Sequence, residues 1–160
     1  GKGSGCLYDY GCHVIDLSIF LFGKPGTVSC LSKEELHQPG VIDRFSIELD
    51  HINFSNVTSC ITCDWADDSV RKAGLALEIK TQNHSIYTDG QTIKISGETV
   101  KSYSIKDVDT DVEFYLRGEE FQNQTNAFFM AIANHQLVYS DIEDAVSVDE
   151  ILLEIYEQVL

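Results

Sequence analysis

With 160 residues, 43% of them hydrophobic and 23% charged, the chain is long enough for one globular domain with a genuine core, and neither disorder nor a fibre fits that balance. Eleven basic residues against 26 acidic ones give a net charge of −15, which repels phosphate backbones and anionic lipid and argues against nucleic acid or a membrane as partner. Five cysteines, an odd number in a chain that needs no staples, point to reduced thiols and a cytoplasmic location.

The chain opens on Gly1-Lys2-Gly3-Ser4-Gly5, expected to be a loop, since it lacks the preceding strand and the glycine spacing of a dinucleotide fingerprint. Ser4 is placed to cap the helix that follows. That helix is expected from Cys6 to Phe22, where Asp9, His13 and Asp16 fall four and three positions apart and share one stripe. Leu7, Val14, Ile15, Leu17, Ile19, Leu21 and Phe22 fill the remaining surface, so the helix is expected to be buried with its stripe turned into a cleft. The spacing alone leaves two possibilities open. Either the aspartates are caps beside a satisfied core histidine, or three ionisable groups work together at a site. Asp16 and Ser18 interrupt the apolar run, which is too short to span a bilayer. Gly23-Lys24-Pro25-Gly26 stops the helix, and Thr27 to Ser32 follows as a strand.

The string Gly3-Ser4-Gly5-Cys6-Leu7-Tyr8-Asp9-Tyr10-Gly11-Cys12-His13-Val14-Ile15-Asp16-Leu17 resembles the G-x-G-x-L-x-D-x-G-x-H-x-x-D-L signature of the Gfo/Idh/MocA oxidoreductases. The resemblance implies an α+β fold, a mostly antiparallel open β-sheet with helices packed on one face. It makes residues 1–160 a single C-terminal substrate and dimerisation domain, with the N-terminal Rossmann domain absent from this chain. It implies NAD or NADP in the full-length protein and no cofactor bound to this fragment, because neither G-x-G-x-x-G nor the family's E-K-P lysine motif occurs here. The isolated chain is therefore expected to be inactive.

By the same resemblance, the reaction is oxidation of a secondary hydroxyl or reduction of a carbonyl on a small carbohydrate-like substrate, a sugar, polyol or related compound. His13 moves the proton that accompanies the hydride, an imidazole's usual task. Asp9 orients the imidazole or balances its charge, and Asp16 accepts a hydrogen bond from a substrate hydroxyl. A homodimer or higher homo-oligomer through the sheet face is implied as well. Two other readings stay open: an NAD-assisted glycosidase or lyase using the same helix, and a non-catalytic sugar-binding or oligomerisation module.

Beyond a loop holding His37, Pro39 and Gly40, Arg44 to Asp50 alternates Phe45, Ile47 and Leu49 with polar residues, as a half-buried strand does. Asn56 to Ala66 alternates as well, with Val57, Ser59, Ile61, Cys63 and Trp65 on one face. Cys60 and Cys63 therefore point to opposite faces, and no metal is expected at this C-x-x-C or elsewhere. Cys12 beside His13 is read as packing. Leu75, Leu77 and Ile79 begin another strand, and Leu77 to Ile86 resembles the family's L-E-I-x-G-T-x-G-S segment. With Thr81 and His84 in place of glycines, the turn is expected to use Asn83 in the left-handed conformation. Thr88-Asp89-Gly90-Gln91 predicts a two-residue type I′ hairpin. Ser96-Gly97-Glu98 separates a further pair that ends with Val100 to Ile105, for six to eight strands, largely antiparallel.

From Gly118 the period becomes helical, through Phe121, Ala127, Phe128, Ala131 and Ile132, and stops at Asn134 and His135. Ser140 and Glu143 are expected to form a capping box. The last helix presents Ala145, Val148, Leu152, Ile155 and Val159 as its apolar stripe. These two helices resemble the family's F-x-x-A-I and S-x-E-D-A tail. Acidic blocks at Asp107 to Glu113 and Asp141 to Glu150 are read as solvated faces. Sequons at Asn53, Asn56, Asn83 and Asn123 are read as chance, since no signal peptide opens the chain.

Overall fold

In the computed structural model the described residues are 4–53, 57–69, 74–97, 99–104, 119–136 and 141–158. They fall into two compact units, one of residues 1–67 with 130–160 and one of residues 68–129. In order, the elements are β1 (Ser4–Gly5), a π turn (Leu7–Gly11), α1 (Cys12–Phe22), β2 (Pro25–Glu34), β3 (Val41–Ile42), β4 (Arg44–His51), β5 (Thr58–Asp64), β6 (Leu77–Lys80), β7 (Ser85–Thr88), β8 (Thr92–Ser96), β9 (Lys101–Ser104), α2 (Glu119–Asn134) and α3 (Ile142–Glu157). The α+β class and the antiparallel strands are as expected. Hydrogen bonding divides the strands into a parallel pair β1-β3, a three-stranded antiparallel sheet β2-β4-β5 and a four-stranded antiparallel meander β6-β7-β8-β9.

The alternation along β4 organises the first unit, since it places Phe45, Ile47 and Leu49 fully inside. Val28 of β2 and Ile61 of β5 extend that face to both sides. Ile15 of α1 and Val148, Ile151, Leu152 and Ile155 of α3 close over it. Ile151 joins the apolar stripe of α3 in place of Ala145, which is exposed; Val159 lies outside the described residues. The opposite face of the sheet is polar. There Thr58 donates to Asp50 at 2.7 Å, Ser46 and Thr62 share a 3.3 Å hydrogen bond, and Arg44 reaches Asp64 at 2.9 Å and Glu34 at 3.0 Å.

Helix α3 takes its cap one residue later than expected. Asp141, not Ser140, is the N-cap, and its carboxylate accepts from Glu143 N at 2.9 Å and Asp144 N at 3.2 Å while Asp144 accepts from Asp141 N. Aspartate is as good a cap as serine, so adjacent candidates leave the choice to packing. Ser140 itself lies outside the described residues. At the other end the Gln158 amide works like an extra strand residue on the β2 edge, accepting from Cys30 N at 2.7 Å and donating to Val28 O at 2.9 Å. Lys33 gathers the last carbonyls of α3, those of Tyr156 and Gln158 among them.

Between β3 and β4 stands a buried carboxylate. Asp43 accepts from Leu36 N at 2.8 Å and His37 N at 2.9 Å, and the His37 imidazole lies 3.0 Å from its other oxygen. The backbone hydrogen bond from His37 does most to hold the Asp43 carboxyl below its usual range, with the imidazole and Leu36 N–H adding to it. A carboxyl whose pKa is lower folded than unfolded stabilises the fold above the unfolded value of about 3.9, and that contribution fades as the pH falls through the folded value. Asp43→Asn is therefore expected to lower the urea midpoint at neutral pH, with the gap to wild type closing below about pH 4. A gap that stays constant with pH would refute this role.

In the second unit, β6 through β9 form consecutive hairpins. Two turns differ from expectation. Thr88 pairs with Ile93, so the β7–β8 loop holds four residues, not two. The Asp89 carboxylate closes it by accepting from Gln91 N at 2.9 Å and Thr92 N at 2.8 Å, and Gly90 alone in it takes a positive φ. The turn after β6 is closed by Thr81, whose hydroxyl accepts from His84 N at 3.0 Å; Asn83 is not left-handed. Side-chain oxygens of Asp89 and Thr81 thus close both turns.

Helix α2 ends as predicted, in a Schellman motif. His135 has φ 53°, Gln136 N donates to Ala131 O at 2.9 Å and His135 N to Ile132 O at 3.4 Å. Among the described residues no helix is long and apolar enough to cross a membrane.

Candidate functional site

The signature stretch is built differently from the single helix expected. Ser4 pairs with Val41 in the parallel β1-β3 ladder, and the position before the π turn is Cys6, which makes no side-chain cap hydrogen bond. Gly5 has φ 96° and lies so close to the Ile42 backbone that a β-carbon there would collide with it. Leu7–Gly11 is a π turn, and regular α-helix begins only at Cys12.

Leu7, Gly11, Ile15 and Ser18 face the core, in steps of four, four and three. Gly11 lets the segment lie close on the sheet, because a β-carbon there would sit only 3.0 Å from Phe45 Cζ.

Asp9, His13 and Asp16, four and three positions apart, are all three exposed. The expectation of a buried helix is corrected: sheet and α3 cover one face only, and Phe20 on the outside is 72% exposed. The three groups keep contact with water and need no mutual pairing to offset desolvation. Cys12, between the stripe and the core, donates weakly to Asp9 O at 3.5 Å, and burial pushes its thiol up, so it stays a packed thiol.

Three features of this region escaped the sequence. The first is an aromatic pair: Tyr10, in the π turn, and Trp65, just past β5, meet edge to face with ring centroids 6.1 Å apart and 76° between planes. The second is a buried polar chain under α1. His51 Nδ1–H donates to Gly23 O at 2.7 Å, so Nε2 accepts, from Ser59 at 2.8 Å, and Ser18 donates to Ser59 at 2.7 Å. That chain ties the end of α1 to β4 and β5. The third is the packing of Cys63 beside Cys6, with its sulfur 4.0 Å from Cys6 O. The thiol hydrogen bond between them, helped by burial, holds the Cys6 thiol up.

Cys60 and Cys63 face opposite sides as predicted, Cys60 exposed near Glu48 and Cys63 against the core. All five cysteines are free thiols. Among the described residues no three His, Cys, Asp or Glu side chains form a metal-holding group.

Comparisons with known proteins agree with the signature. The sequence pattern of the GFO/IDH/MocA C-terminal domain matches residues 1–99. No curated protein matches. Among solved structures, an oxidoreductase from Agrobacterium radiobacter, in complex with NAD+, L-tartaric acid and magnesium, superposes with a TM-score of 0.78 at 16% identity, over 98% of this chain and 47% of its own. UDP-N-acetylglucosamine 3-dehydrogenase from Acidithiobacillus ferrooxidans gives 0.70 at 18% identity, over 91% of this chain and 44% of its own. An oxidoreductase from Bacillus cereus gives 0.66 at 20% identity, over 99% and 51%. The chain thus spans about half the length of the structures it matches. With the family pattern covering residues 1–99 of 160 and the fold shared over nearly the whole chain, this protein belongs to the GFO/IDH/MocA family, by its C-terminal domain.

Proposed function

We propose that this chain is the substrate-binding and catalytic-helix domain of an NAD(P)-dependent oxidoreductase acting on a secondary hydroxyl or carbonyl of a sugar, polyol or related compound. The observation that carries the proposal is the exposed Asp9, His13 and Asp16 surface on the segment the family pattern matches. The ligand of the Agrobacterium relative, L-tartaric acid, and the nucleotide sugar of the Acidithiobacillus enzyme both bear secondary hydroxyls, which supports this substrate class.

Among the described residues no dinucleotide cradle is formed. The one glycine-rich stretch, at the N-terminus, packs Gly5 against the Ile42 backbone where a phosphate cradle would need open amides. In this reading NAD or NADP is held outside these residues, and no step on this chain is routed through it. This chain's own work is at the substrate oxygen. The His13 imidazole takes the hydroxyl proton in oxidation or returns it in reduction, Asp9 steadies the charged imidazole, and Asp16 accepts from a neighbouring hydroxyl.

The test is a nicotinamide absorbance assay of the full-length protein against pyranoses, inositols, open-chain polyols and hydroxy acids. Net cofactor reduction is expected, and none from these 160 residues alone. Bond cleavage with the cofactor unchanged would replace this proposal by an assisted glycosidase or lyase, and turnover by the isolated chain would overturn the division of labour.

A further inference from the structure

We propose that Cys6 and Cys63 form a peroxide-sensitive pair, whose oxidation to a disulfide ties the signature segment to β5 and reversibly slows turnover by the intact protein. The effect on turnover rests on the oxidoreductase proposal above; the cross-link does not.

Two residues far apart in sequence meet here. Cys6 is fully buried immediately before the π turn, and Cys63, near the end of β5, packs partly buried against the same core. The Cys63 sulfur lies 4.0 Å from the Cys6 carbonyl oxygen, and the Cys6 thiol hydrogen-bonds to that sulfur. Side chains already in contact are what a disulfide requires, because the bond has a narrow geometry and tolerates little backbone movement.

The other three thiols are engaged elsewhere. Cys60 meets Glu48 on the opposite face of β5, Cys12 meets Asp9 O and Cys30 meets Ser32 O. The C-x-x-C of Cys60 and Cys63 is therefore not the redox unit, and the partner of Cys63 comes from the signature segment.

The pair divides the two tasks of such an oxidation. A thiolate attacks peroxide, and the hydrogen bond from Cys6 favours that form on Cys63 while it keeps Cys6 protonated. Cys63 is also the one of the two that keeps some exposure to solvent. Its sulfur attacks one peroxide oxygen, the O–O bond breaks, and the hydroxide that leaves takes up the proton Cys63 had lost, giving water and a sulfenic acid. The Cys6 sulfur then attacks the Cys63 sulfur, the S–O bond breaks, and the departing hydroxide takes the Cys6 proton as a second water. Two thiols and one peroxide give one disulfide and two waters, and the peroxide gains the two electrons that the sulfurs lose.

Closure draws Cys6 toward β5, and the π turn with Asp9 follows it directly in the chain. On the other side of Cys6, Gly5 is packed against the Ile42 backbone, so the movement is not absorbed there. It passes to the segment that carries Asp9 and His13, where a displacement of about 1 Å lowers a rate by up to about 10²-fold.

The test begins with this chain, reduced and then exposed to a stoichiometric amount of hydrogen peroxide, with remaining thiols alkylated before non-reducing peptide mapping. A Cys6–Cys63 link within one chain is expected, and dithiothreitol should return both thiols. Cys63→Ser should abolish the link, and Cys60→Ser should leave it in place. Conversion of Cys63 to a sulfinic acid, or links through Cys60 between chains with Cys6 and Cys63 still alkylated, overturns the pair. In the full-length protein, complete linkage is expected to lower kcat about tenfold, with recovery on reduction and no such response in Cys63→Ser. A fully linked enzyme that keeps the reduced rate overturns the switch. If the full-length protein reduces no nicotinamide at all, the oxidoreductase proposal fails, while the cross-link is decided by the mapping alone.

Discussion

His13→Ala, made in the full-length protein, is expected to lower kcat by about 10²- to 10⁴-fold with little change in KM, which is the range spanned by positioned acid–base groups. His13 is exposed at the surface of α1, so its removal opens no cavity and strands no buried partner. Stability should stay within about 0.5 kcal/mol of wild type, and that separates a chemical role from a structural one. Two further measurements tie the loss to proton transfer. Added imidazole should restore part of the rate in His13→Ala, and the pH profile of the variant should lack one ionisation that wild type shows. Asp9→Asn should have a smaller effect in the same direction, since it removes the orienting charge and leaves the imidazole in place. A His13→Ala enzyme that turns over within a few-fold of wild type would leave the stripe without a catalytic task.

The parts of this architecture legible in the sequence are those set by local period. Phe45, Ile47 and Leu49 alternate with polar residues and are buried in that pattern, because a strand with one face on a core has no other way to arrange them. Asp9, His13 and Asp16 were likewise picked out by spacing, and all three are exposed in the structure. The composition of α1, however, carried no information on how many of its sides would be covered. A helix rich in Leu, Ile and Phe reads as buried all round, yet here one sheet and one neighbouring helix cover one face. The close approach of Gly11 to Phe45 was illegible for a related reason, since it is a matter of tertiary fit. His51, Ser59 and Ser18 meet only after β4, β5 and α1 have packed, and Tyr10 finds Trp65 the same way. Neighbouring candidates were beyond resolution too: Ser140 and Asp141 are both good caps, and only the placement of α3 selects the second.

Phe45→Ala is expected to cost about 3–5 kcal/mol, a large share of the roughly 5–15 kcal/mol by which a domain is stable. Phe45 is the largest fully buried side chain of the core, and its ring lies under the π turn, against Gly11. Removing it therefore loosens the platform that carries Asp9 and Tyr10 as well as the sheet's central strand. Faster amide exchange in Leu7–Gly11 should accompany the lowered urea midpoint, read from Trp65 fluorescence.

A double-mutant cycle isolates the contact. Gly11→Ala alone places a methyl 3.0 Å from Cζ of the fully buried Phe45, so the ring must shift within a packed core and the substitution is expected to destabilise despite alanine's advantage over glycine of about 1 kcal/mol in helices. In the Phe45→Ala background the same methyl enters the space the ring has left. The two losses should then sum to less than their parts, with a coupling of about 0.5–3 kcal/mol. Additive losses would mean that Gly11 is required for the backbone of the π turn itself and not for the ring beneath it, and the seating of the catalytic segment on Phe45 would have to be abandoned.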